Sequence, residues 1–110
     1  MRLPHAGSAI LNIHKLSQYC LDPTHPRGRH KARVFRDALG LVTADANWLR
    51  RTLLDGVLTE EATELLSDMH GQRWRVDVSV SRHGRQAMVR TLWIVRTNEN
   101  APRFVTCWVI

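Results

Sequence analysis

Apolar residues keep two different periods along the chain, and the change falls near residue 70. Before it, they recur every three or four positions, the spacing of one helix face. Asn12 is a fitting cap for a first helix running through Leu21, with Ile13, Leu16, Tyr19 and Cys20 on its inner side. Residues 1–11 read as irregular, or as a short edge strand around Ala9, Ile10 and Leu11. Two prolines and a glycine make residues 22–28 a loop. A second helix is expected over Arg29–Leu39, burying Ala32, Phe35, Ala38 and Leu39, with Gly40 as its left-handed stop. Thr43 opens a third, whose apolar face is Ala46, Leu49, Leu53 and Val57. Thr59–Ala62 looks like one more capped turn, continuing weakly to Leu66.

From Gln72 the period is two. Trp74, Val76, Val78 and Val80 alternate with Arg73, Arg75, Asp77 and Ser79, as in a strand with one buried face. Residues 82–85 read as a hairpin turn, and the returning strand, Ala87–Arg96, is apolar on both faces and therefore central. Its inner face is either Met88, Leu92 and Ile94 or Val89, Trp93 and Val95. A last strand follows Pro102, over Arg103–Ile110. The expected fold is α+β: N-terminal helices packed on a C-terminal antiparallel sheet of three or four strands, all within one domain, 1–110.

At 110 residues the chain has room for one core. No apolar run approaches the roughly 20 residues that cross a bilayer, and the first residues lack a signal-peptide core. A soluble protein of the cytoplasm, without a membrane partner, is expected. Charge adds a direction: 16 basic against 10 acidic residues give +6, and fourteen of the sixteen are arginines. Arginine binds phosphate in a forked manner, so the surplus points to nucleic acid or to an acidic protein. Cys20 and Cys107 are expected as free thiols.

The densest polar cluster spans His25 to Arg33 and sets Arg27, Arg29, Lys31 and Arg33, with His25 and His30, around a helix start. Cations are locally unfavourable at that end, where the helix dipole is already positive. Either a phosphate resolves the conflict, or the cluster is a solvated basic face. His14, Cys20, His25 and His30 lack the tight ligand pairs of structural zinc sites, so no metal or other cofactor is expected. The strands carry Arg90, Thr91, Trp93, Arg103 and Thr106. An arginine within an apolar strand needs a partner or a ligand, and a tryptophan at a sheet edge can stack on a base. Metal-free RNA cleavage requires only a base, an acid and cations, because the 2′-OH is the nucleophile. Helix and sheet would supply that set if they face each other.

Three stretches also resemble a family of bacterial domains that occur alone and as the tips of polymorphic and contact-dependent inhibition toxins. They are Leu16–Gly40 (LSQYCLDPTHPRGRHKARVFRDALG), Val89–Val95 (VRTLWIV) and Pro102–Trp108 (PRFVTCW). That family is similar to the barnase–EndoU–colicin–RelE ribonucleases. The resemblance implies metal-independent endoribonuclease activity on RNA, tRNA included, with neutralisation by a small antitoxin or immunity protein. By position, the family pattern falls on His25, Pro26, Lys31, Ala32, Phe35, Gly40, Thr91, Trp93, Pro102 and Thr106. The expected catalytic residues are His30, Lys31, Thr91 and Thr106; the expected RNA-binding residues are His25, Arg29, Arg33, Arg90, Trp93 and Arg103. A non-catalytic nucleic-acid-binding module and an interaction domain for an acidic partner are the alternatives.

Overall fold

The computed structural model describes residues 1–110. Two helices, α1 (Arg29–Leu39) and α2 (Ala46–Gly56), precede four strands: β1 (Ala62–Glu64), β2 (Gly71–Arg82), β3 (Arg85–Arg96) and β4 (Arg103–Val109). The sheet is antiparallel in the order β1-β2-β3-β4. It is therefore a meander, and the helices cover one of its faces, α1 over β3 and β4 and α2 over β2. No helix is long and apolar enough to cross a membrane.

The periodicities explain most of this. Ala32, Phe35 and Leu39 of α1 and Ala46, Leu49 and Leu53 of α2 enter one core with Trp74, Val76, Val78 and Val80 of β2. Gly40, at φ 69°, ends α1 as expected, its N–H bonding the Arg36 carbonyl while the Leu41 N–H bonds that of Phe35. On the central strand β3 the ambiguity resolves in favour of Val89, Thr91 and Trp93, all fully buried. Their cross-strand partners Val78, Val76 and Trp74 fix that face. Leu92 and Ile94 are half-buried on the other side, and Met88 is exposed.

Two local expectations change. Asn12 does not start an α-helix; its side chain accepts a hydrogen bond from the His14 N–H, and a π-helical turn follows over Leu16–Cys20. The wider turn lets Leu16, Cys20 and Leu21 all reach the core while Tyr19 stays at the surface of the site. Thr59–Leu66 is not helical: Ala62–Glu64 pairs with Val76, Arg75 and Trp74. A twelve-residue β2 offers a free hydrogen-bonding edge, and satisfying it outweighs a weak helical preference. Ile10 makes a single parallel bridge to Arg103, which covers the start of the β4 edge.

A register shift between Leu92 and Trp93 marks β4. Trp93 pairs with Phe104 and Leu92 with Thr106, so Val105 has no partner. The bulge puts Phe104 and Cys107, three residues apart, both in the core and leaves Thr106 half-buried at the margin facing α1.

Candidate functional site

The chain has two lysines, Lys15 and Lys31, and both line one depression of about 520 Å³ together with His14, Gln18, Tyr19, Val105 and Thr106. The π-helical turn forms one wall, the first turns of α1 a second, and the bulge of β4 the third. Lys31 Nζ donates to Thr106 Oγ1 at 2.9 Å and lies 5.0 Å from the Tyr19 ring centre and 5.2 Å from that of Trp108. Lys15 Nζ donates to the Phe104 carbonyl beside the bulge at 2.8 Å. Burial, with Arg96 next in weight, pushes the Lys15 pKa down.

The α1 start is held against this site by close contact. A Cβ on Gly28 would lie 2.1 Å from the Tyr19 carbonyl oxygen, so only glycine lets the loop approach the π-turn. His25 fastens the same corner. Its Nδ1 accepts the N–H groups of Arg27 and Gly28, each at 3.0 Å, and its ring meets Tyr19 edge-on at 4.7 Å. With Nδ1 occupied, the neutral ring carries its proton on Nε2 and presents a donor there. His30 is exposed on the crown of α1, and Arg29 and Arg33 extend into solvent beyond it.

Behind Thr106 lie two completely buried free thiols. Cys20 Sγ is 3.7 Å from Thr106 Oγ1. The hydrogen bond from Cys107 brings the Cys20 thiol down to about 6, against the opposing effect of burial, with Thr106 and the Lys31 charge acting in the same direction. Cys107 is pushed up, first by burial and then by Cys20. The pair thus gives up one proton readily and retains the other. The array Lys31–Thr106–Cys20 is continuous, and it fixes the lysine against a rigid support.

The residues expected from sequence divide sharply. Lys31, Thr106 and His25 gather around Tyr19, with His30 at the adjoining rim. Thr91 does not join them: it is buried inside the core, donating to the Val76 carbonyl at 2.6 Å and accepting from Trp93 Nε1 at 2.8 Å. Trp93 is equally enclosed and stacks edge-on against Phe104 at 5.4 Å, so neither ring face is open to a base. Arg90 points to the opposite face of the sheet, where it clasps Asp77 through two hydrogen bonds of 2.9 and 3.0 Å. Arg103 pairs with Glu99 at 2.9 Å. No group of three or more His, Cys, Asp or Glu side chains is arranged to hold a metal ion; Cys20 is sealed in the core and His25 serves the loop backbone. Sequence reasoning missed Lys15 and Tyr19 as parts of the site. The scarcity of lysine in an arginine-rich chain was the signal for Lys15.

No curated protein matches the sequence. Among solved structures, the chain is similar to one from a contact-dependent growth inhibition toxin–immunity protein complex of Klebsiella pneumoniae 342. The TM-score is 0.71, over 93% of this chain and 100% of that one, at 11% sequence identity. At that identity the likeness is one of fold. A family model matches residues 2–110, and the chain belongs to that family, the domain of unknown function DUF6883.

Proposed function

We propose that this domain is a toxin-like, metal-independent endoribonuclease whose reacting phosphate sits at Lys31. One observation carries the reading: the Lys31 ammonium is held in place by Thr106, at the mouth of a depression, with no carboxylate to neutralise it. A fixed, unneutralised cation is what a phosphodiester transition state requires, since negative charge grows on the non-bridging oxygens during attack. The RNA 2′-OH is the nucleophile. His30, open to solvent, takes its proton; the Nε2–H of His25 hydrogen-bonds to the departing 5′-oxygen, which is protonated from solvent water. The bond from phosphorus to the 5′-oxygen breaks as that to the 2′-oxygen forms, leaving a cyclic phosphate. Tyr19 and Trp108 give the ribose and base apolar surfaces beside the cation.

The fold shared with a chain of a toxin–immunity protein complex supports the toxin-like part of this reading. A small acidic antitoxin or immunity protein would cover the same cations by charge complementarity. Incubation of the purified domain with total RNA and tRNA in EDTA tests the activity. Cleavage by the wild type, lost in Lys31→Ala, is the expected result. RNA left intact at high protein concentration, with both forms harmless in cells, overturns it. Salt-sensitive binding without cleavage would instead identify a binding module, and tight binding of an acidic protein alone an interaction domain.

A further inference from the structure

Lys31 occupies one flank of α1, and a second depression of about 430 Å³ lies on the other. Arg29, Arg33 and Arg36 wall it, His30 stands at its rim, and Leu41 and Val42 lie across from them. The three arginines follow the i, i+4, i+7 spacing of one helix face. No acidic side chain lines the depression. Arg29 and Arg33 form no ion pair, and Arg36 has only an exposed contact with Asp37 at 3.3 Å, which neutralises little.

This depression is joined to the Lys31 site across the crown of α1. His30 belongs both to it and to a third hollow of about 460 Å³, which it shares with Lys31, Val34 and Trp108. Lys31 in turn belongs to that hollow and to the Thr106 depression. Successive helical residues turn by about 100°, so Arg29 and Arg33 stand about 160° from Lys31 around an axis about 10–12 Å thick with its side chains. A single small anion cannot touch both flanks. A ligand that does so is a polymer, and it must bend over the helix within that width. Double-helical nucleic acid, stiff over hundreds of ångströms, does not bend on this scale, whereas a single strand does.

We propose that the arginine-lined depression is a second phosphate subsite, and that the substrate is a single-stranded polynucleotide draped across α1 from Lys31 to Arg33. The inference rests on the reading of Lys31 as the residue at the reacting phosphate, and it adds the class and minimum extent of the substrate. Backbone phosphates one or more linkages away from the reacting one occupy the arginine side, and the strand crosses at His30 and Val34.

The test uses a fluorescein-labelled single-stranded 12-mer RNA with 2′-O-methyl sugars, which cannot be cleaved, in EDTA. Its affinity is measured against salt for wild type and for the double variant Arg29→Gln, Arg33→Gln. The variant is expected to bind about tenfold more weakly, with the slope of log affinity on log salt reduced by about 1.4, or about 0.7 for each lost phosphate contact. The advantage of an unmodified 12-mer over a dinucleotide in kcat/KM should shrink by a similar factor, and a blunt duplex of the same sequence should bind less tightly than the single strand. Equal affinity and slope for the two proteins would overturn the subsite. Duplex binding as tight as that of the single strand, and as sensitive to the variant, would overturn the draped strand. A double variant that keeps its RNA affinity but loses an acidic protein partner would assign the depression to that partner instead. If the wild type binds but cleaves nothing, the ribonuclease reading fails, while the binding arm still decides the subsite.

Discussion

Arg90 and Lys31 are both cations anchored by hydrogen bonds next to the sheet, yet they differ in what remains of their charge. On the outer face of β2 and β3, Arg90 is matched by Asp77 in a two-pronged pair that holds the Asp77 carboxyl below its ordinary range. Arg73, Arg82, Arg96 and Arg103 likewise meet Asp68, Asp45 and Glu99. At the α1–β4 margin the pattern reverses: Lys31 is tied to a neutral hydroxyl, and Arg29 and Arg33 have no ionic partner. No acidic residue occupies the first turn of α1, although the helix dipole favours one there. The net charge of +6 is thus an uneven quantity. Most of the sheet's arginines meet a carboxylate, on the neighbouring strand, in an adjoining loop or at the start of α2, whereas none of the cations from Arg27 to Arg33 does.

That contrast can be tested from both sides. The largest effect should come from Lys31→Ala, which lowers RNA cleavage by about a hundredfold or more, in the range of removing one transition-state donor, while the melting temperature stays near that of the wild type. Next is Gly28→Ala. Its Cβ collides with backbone rather than a movable side chain, so the loop must withdraw from Tyr19 at a cost of about 1–3 kcal/mol by chemical denaturation, with cleavage falling alongside. Thr91→Val separates the buried pair from the site: it strands the Trp93 N–H and should cost about 1–3 kcal/mol, while the protein that remains folded cleaves and binds RNA normally. Arg90→Gln should lower the denaturation midpoint only slightly and leave the salt dependence of RNA binding unchanged, unlike substitution of Arg29 and Arg33.

The remaining test is a dependence on pH. Cys20 is brought to about 6 in the folded chain, below the ordinary thiol value of about 8.5 in the unfolded one. Its contribution to stability is complete above about 8.5 and is lost as the pH falls through 6. Cys107, pushed up, acts in the opposite sense only at higher pH, where the unfolded thiol ionises and the folded one does not. Denaturation midpoints should therefore rise between pH 6 and 8, and Cys20→Ser should flatten that rise.

The helix over Arg29–Leu39, its Gly40 cap, the third helix, and the three long strands were legible because each is a regular pattern written in neighbouring residues. The strand at Ala62–Glu64 was not, because its cause is the free edge of β2 and not its own composition. The π-turn escaped for a similar reason: Leu16, Cys20 and Leu21 fit a helical period until the core demands all three at once.

The candidate site divides along the same line. The sequence by itself determined the basic helix start, the presence of Lys31 and Thr106, and the meander that could carry them toward each other. Thr91 and Thr106 are equivalent as residues in strands, and Arg90 and Lys31 as cations. Only the tertiary structure decided that Thr91 bonds a tryptophan inside the core, that Arg90 is neutralised on the far face, and that the β4 bulge leaves Thr106 at the margin. The physical reason is that a strand's pattern specifies alternation, whereas a bulge and a partner's charge change which face a side chain takes and whether its charge survives.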